Sequence, residues 1–167
     1  PKRPKPWIIM DFDPTTSSSP SPEFTFHGSY TRAVDAKGRF ALPFRFRQGG
    51  SVPVEEKYVV SQGADGSLSL LPYSVWIANF NRMRQGTPGP ELRANMRKMS
   101  LASIVVEPDS QGRVAVPVET LTNCGITKKI TVVGMGSYME LWDAESLARL
   151  NAGDDEVDSG VMDEFYR

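Results

Sequence analysis

Two stretches of this chain are copies of one pattern, and that duplication restricts the possible folds more than any other feature. Tyr30-Thr31-Arg32-Ala33-Val34-Asp35-Ala36-Lys37-Gly38-Arg39-Phe40-Ala41-Leu42-Pro43 aligns with Ile104-Val105-Val106-Glu107-Pro108-Asp109-Ser110-Gln111-Gly112-Arg113-Val114-Ala115-Val116-Pro117 at an offset of 74. Asp, Gly, Arg, Ala and Pro coincide, and apolar positions match around them. A second correspondence follows at an offset of 71: Val59–Gly63 matches Ile130–Gly134, and Leu68-Ser69-Leu70 matches Met139-Glu140-Leu141.

Each copy predicts the same local structure. In Asp-x-x-Gly-Arg the Asp carboxylate can accept backbone N–H groups of a turn, and the Gly can take the left-handed conformation that closes a three-residue loop. Alternation after the turn (Phe40 and Leu42; Val114 and Val116) places apolar side chains on one face of a strand, and Pro43 and Pro117 end it. Each unit therefore begins with a hairpin, and a second hairpin turns near Gly63–Gly66 and near Gly134–Gly136. Helices are expected from Tyr73 to about Met83, with Val75, Trp76, Asn79, Phe80 and Met83 at helical spacing, and from Asp143 to about Leu150. A further helix from Pro90 to about Leu101 opens with proline and then Glu91, and joins the units.

Neither unit is large enough to bury a good core alone, so the two are expected to close on each other about a pseudo-twofold axis as one domain. The expected class is α+β, mainly β, with peripheral helices. The division along the chain is residues 1–24 as a poorly ordered leader, 25–90 as the first repeat with its helix, 91–150 as the linking helix and second repeat, and 151–167 as an acidic tail. Residues 1–23 hold six of the thirteen prolines and the Thr15–Ser19 run.

Enzymatic chemistry finds little support. His27 is the sole histidine, and Cys124 has no second histidine to activate it. One Cys and one His argue against a zinc site, and no metal or cofactor is expected. Gly134 and Gly136 resemble part of a phosphate loop, but no Gly-Lys-Ser/Thr completes it. A single cysteine fits a reducing cytoplasm, and no apolar run approaches the ~20 residues that span a bilayer.

The stretch Phe26-His27-Gly28-Ser29-Tyr30…Asp35-Ala36-Lys37-Gly38-Arg39…Pro43-Phe44-Arg45-Phe46-Arg47 resembles the start of MraZ proteins. Asp109-Ser110-Gln111-Gly112-Arg113…Pro117 and Gly134…Glu140-Leu141-Trp142-Asp143 fall where that family has its second repeat. The resemblance covers about residues 26–150. It implies two tandem swapped-hairpin units of the AbrB superfamily, forming a β-barrel-like domain. It also implies a nucleoid-associated regulator of the division and cell-wall gene cluster, bound to double-stranded DNA at direct repeats in its own promoter. Ring-shaped homo-oligomers of eight or twelve subunits are implied as well. The chain departs from the family pattern in its leader, its acidic end, and Leu101 where a Gly is usual before Ala102.

The net charge of −1 does not suggest a nucleic-acid binder, but its distribution does. Residues 151–167 carry a net −5, leaving +4 on the rest. From Gly28 to Gln48 the cations Arg32, Lys37, Arg39, Arg45 and Arg47 face one anion, Asp35, whereas Ala102–Thr122 has Arg113 against Glu107, Asp109 and Glu119. Arg32, Lys37, Arg45 and Arg47 become Val106, Gln111, Glu119 and Leu121. Because neutralised phosphates add affinity through counterion release, the first repeat is expected to lead on DNA. Arg32, Lys37, Arg39, Arg45 and Arg47 are the candidate DNA contacts. Asp35, Gly38, Asp109, Gly112 and Arg113 read as the turn scaffold, and Arg39 suits both roles.

Arg93 and Arg97 share a helix face and read as an oligomer-interface pair for acidic residues of a neighbouring subunit. A rival reading is an antitoxin or protein-interaction module of the same superfamily that uses the acidic tail.

Overall fold

The computed structural model describes residues 26–47 and 55–153, so the leader and most of the acidic tail lie outside the described residues. The described chain is α+β and mainly β. In the first repeat β1 (Phe26–Ala33), β2 (Arg39–Ala41) and the short α1 (Phe44–Arg47) are followed by the hairpin β3 (Tyr58–Gln62) and β4 (Leu68–Pro72). The helices α2 (Tyr73–Arg84) and α3 (Pro90–Ala102) come next. The second repeat runs through β5 (Ile104–Val106), β6 (Arg113–Ala115), α4 (Val118–Asn123), β7 (Lys129–Gly136), β8 (Met139–Trp142) and α5 (Ala144–Gly153).

The second hairpins form where the glycines predict them, and the three expected helices form with ends shifted by a few residues at most. Pro90 opens α3 at its first turn, where its missing N–H is not needed. Two helices were not anticipated. Pro43 and Pro117 end their strands and lead at once into α1 and α4, whose inward residues Phe46 and Leu121 are buried.

Strand pairing departs from the expectation of a local hairpin around each Asp-x-x-Gly-Arg turn. β1 and β2 do not form a ladder with each other. β1 pairs with β7, β5 pairs with β3, and β2 pairs with β6, each across the repeat boundary and antiparallel. The six-stranded sheet has the order β1-β7-β8-β4-β3-β5, and β2-β6 forms a separate two-stranded ribbon. Exchanging every strand of the sheet for its counterpart in the other repeat reverses that order and leaves it unchanged. The centres of both assemblies obey the same exchange: Phe40 faces Val114 in the ribbon, and Ser69 faces Glu140 in the sheet.

Burial explains why crossing is favourable. Phe40, Leu42, Val114 and Val116 point from the ribbon onto Leu68, Leu70, Met139, Leu141, Ile130 and Val132 of the sheet, and all are buried in one cluster. Each repeat alone would leave one side of these strands in water, and burial is worth roughly 25 cal/mol per Å² of apolar surface.

Candidate nucleic-acid interface

The two Asp-x-x-Gly-Arg turns have the same construction. Asp35 Oδ1 accepts the backbone N–H groups of Lys37 (2.9 Å) and Arg39 (3.0 Å), and its Oδ2 accepts Arg39 Nε–H at 2.7 Å. Asp109 repeats this with Gln111 (2.9 Å), Arg113 (3.0 Å) and Arg113 Nε at 2.8 Å. The Gly38 and Gly112 N–H groups donate back to the Asp35 and Asp109 carbonyls at 3.0 and 2.8 Å. These donors favour the charged carboxylates. The Arg39 backbone N–H above all, with its guanidinium and the Lys37 N–H, holds the Asp35 carboxyl down at about 2. The Arg113 backbone N–H leads the same lowering at Asp109.

Backbone conformation favours glycine at both turns, and at Gly38 a rigid backbone neighbour adds a second reason. Gly38 and Gly112 sit at φ 73° and 71°, in the left-handed region. A Cβ at Gly38 would also meet the Val116 carbonyl, and one at Gly112 would meet the Arg47 guanidinium.

The turns lie at opposite ends of the ribbon. Val116 N–H donates to the Gly38 carbonyl at 3.0 Å, and Leu42 N–H donates to the Gly112 carbonyl at 3.0 Å. Four residue steps separate these contacts, which corresponds to roughly 13 Å along the strands.

The candidate DNA-contacting cations do not form one continuous row. Lys37 is exposed in the first turn, and Arg39 beside it is committed to Asp35, so it braces the turn while remaining partly accessible. Arg45 is exposed on α1. Arg47 bridges the repeats: its Nε donates to the Leu42 carbonyl of its own repeat at 3.1 Å, and its Nη1 donates to the Gln111 carbonyl in the second turn at 3.4 Å. Arg32 lies on β1, with its guanidinium 5.6 Å from the Tyr30 ring centre. Tyr30 packs edge-on against Phe46 of α1 at 5.2 Å. Arg113 is held by Asp109 as Arg39 is by Asp35. Arg93 and Arg97 are exposed on α3.

Sequence reasoning passed over Phe44. It is 62% exposed on α1, and the Arg47 guanidinium lies 5.8 Å from its ring centre. The available signal was the Phe-Arg-Phe-Arg run after Pro43, which alternates in sequence but is helical, so only Phe46 turns inward.

The residues that might suggest chemistry stand apart. Cys124 is buried, and burial pushes its thiol up, away from the reactive thiolate. His27 is exposed on β1. Among the described residues no three His, Cys, Asp or Glu side chains converge as metal ligands, and no helix is long and apolar enough to cross a membrane.

Residues 99–159 match the family model of the MraZ protein, described there as antitoxin-like. The chain is 33% identical over 141 residues to the transcriptional regulator MraZ of Corynebacterium jeikeium, covering 79% of this chain and 96% of that one. It is 35% identical over 124 residues to the protein of the same name from Thermomicrobium roseum, covering 74% and 84%. Against that of Mycolicibacterium smegmatis it is 30% identical over 143 residues, covering 85% and 97%.

Proposed function

The chain belongs to the MraZ family, and from that premise we propose that it is a DNA-binding transcriptional regulator without enzymatic activity. It acts on the division and cell-wall gene cluster, binding direct repeats in its own promoter as a cytoplasmic, nucleoid-associated ring of eight or twelve copies. The observation that carries this reading is the pair of identically braced turns at the two ends of one ribbon, beside the first repeat's cations. A two-stranded ribbon fits the major groove, where Arg can pair with guanine O6 and N7. Arg32, Lys37, Arg39, Arg45 and Arg47 supply the phosphate and base contacts. Asp35, Gly38, Asp109, Gly112 and Arg113 shape the turns.

The crossed pairing supports a swapped-hairpin, barrel-like closure of residues 25–90 with 91–150 as one domain, flanked by a leader over 1–24 and an acidic tail over 151–167. Self-association is supported by the α2–α3 pair. Tyr73, Trp76 and Phe80 stack along α2, yet no residue of either helix is buried. Arg93 and Arg97 take acidic residues of the neighbouring copy. Repetition around a ring raises a weak single-copy contact by avidity.

A mobility shift on duplex DNA from the chain's own upstream region, against a scrambled duplex of equal length, tests the proposal. A complex specific for the upstream region is expected; equal binding to both duplexes overturns it. The description of the family as antitoxin-like favours one second reading, a protein-interaction module that works through the acidic tail. Loss of residues 151–167 should leave DNA binding intact in a regulator and abolish partner capture in such a module.

A further inference from the structure

Position 47 and position 121 are counterparts at the offset of 74, and the crossed fold puts them in matching places. Leu121 of α4 packs behind the first turn, its Cδ1 3.4 Å from where a Cβ on Gly38 would lie. Arg47 of α1 packs behind the second turn, against Gly112, and donates to the Gln111 carbonyl. Position 37 and position 111 are counterparts too, and here the cation is in the first turn: Lys37, against the neutral Gln111 in the second.

The first turn therefore carries Asp35, Lys37 and Arg39 with an apolar leucine behind it. The second carries Asp109 and Arg113, with an arginine behind it in place of that leucine. The cation that the second turn lacks in its own sequence arrives from the other repeat. Two cations and one carboxylate stand at each turn. Exposed Arg45 on α1 and exposed Glu119 on α4 add further positive charge to the helix serving the second turn and negative charge to the helix serving the first. The linear counts of +4 over Gly28–Gln48 and −2 over Ala102–Thr122 do not describe the surface at either turn.

We propose that Arg47 serves the second turn: it supplies across the repeat boundary the positive charge that Lys37 supplies within the first, so that the second turn also faces duplex phosphate. This rests on the DNA-binding reading above and adds a second contact point to it. Arg47 is held by the Leu42 and Gln111 carbonyls, neither of which neutralises it, so its charge stays available. Backbone acceptors orient a guanidinium without cancelling its field.

The test compares the wild-type chain, Arg47→Leu, Lys37→Gln and the double variant Arg47→Leu/Gln111→Lys on the upstream duplex over a salt series. Leucine is what the matching position already holds, so Arg47→Leu should melt close to wild type. Arg47→Leu is expected to weaken binding by about tenfold at low salt and to reduce the slope of log K against log salt by about one, as Lys37→Gln should. The double variant, which rebuilds the second turn in the image of the first, should return affinity to within about twofold of wild type and restore the slope. Wild-type affinity and slope in Arg47→Leu would overturn the proposal. Weakening that Gln111→Lys fails to rescue would also overturn it, because Arg47 would then act by bracing and not by charge. If Arg47→Leu does not fold, Gln111→Glu in the wild-type chain replaces it: a weakened complex is expected, and unchanged binding overturns the inference. Absence of any specific wild-type complex would instead sink the DNA-binding reading itself.

Discussion

Phe40 and Val114 face each other at the centre of the β2–β6 ribbon, and each holds in its own repeat the place that the other holds in its. Both are buried, at 1% and 0% exposure. The contact is the internal equivalent of the residue pair on the twofold axis of a symmetric dimer. Because it belongs to both halves, Phe40→Ala should destabilise the whole domain in one cooperative transition, by about 3–5 kcal/mol. Chemical denaturation followed by tryptophan fluorescence and circular dichroism checks this; two separate transitions would mean that the repeats fold independently.

Gly112 and Arg47 should be energetically coupled. Gly112→Ala costs about 1–2 kcal/mol for the left-handed backbone, plus the displacement of the guanidinium. Arg47→Leu should relieve part of that cost, with a coupling of about 0.5–3 kcal/mol in a double-mutant cycle. The same Arg47→Leu change should not relieve Gly38→Ala, whose obstacle is the Val116 carbonyl. Equal effects at both glycines would contradict the crossed packing.

The two turn carboxylates predict an acid-side loss of stability. Asp35 is lowered from its ordinary 3.8 to about 2, and Asp109 is lowered for the same reasons. A depressed folded-state value contributes stability that is present above the unfolded value and lost as pH falls through the folded one. Melting temperature should therefore fall between about pH 4 and pH 2, and less steeply in Asp35→Asn/Asp109→Asn. The carboxylates are exposed, so the effect should be far smaller than that of Phe40→Ala. Identical pH profiles for the two proteins would remove the turns from the account of acid stability.

The expected self-association makes a separate prediction. Arg93→Glu/Arg97→Glu should lower the mass seen by sedimentation. It should also weaken binding to a duplex with several direct repeats by about 100-fold or more, while affecting a single-repeat duplex little. Unchanged mass would exclude this pair from the interface, and a smaller assembly that binds the multi-repeat duplex as tightly as wild type would rule out avidity.

Much of the fold was legible because the repeat carries its own punctuation. Asp, Gly and Pro recur at fixed places, so the turns, strand ends and second hairpins could be located from residue types alone. Partner choice was not legible. Whether β2 pairs with β1 or with β6 depends on which arrangement buries Phe40 and Val114 together, a long-range matter that alternation within a strand does not report. α1 was hidden for a related reason: the four residues of Phe-Arg-Phe-Arg are too few for a helical period to show, and only the burial of Phe46 against the core distinguishes its inward face. The candidate site suffered most from this. Its candidate residues can be picked out one by one in the sequence, but their grouping depends on α1 lying against the other repeat's turn.

Arg39 both braces the first turn through Asp35 and stands at the end of the ribbon. The most direct measurement is the salt dependence of binding to the upstream duplex for wild type and Arg39→Ala. A specific wild-type complex whose affinity falls steeply with salt is expected, with a variant that binds at least about tenfold more weakly and has a slope shallower by about one. Wild-type affinity and slope in Arg39→Ala would contradict that expectation.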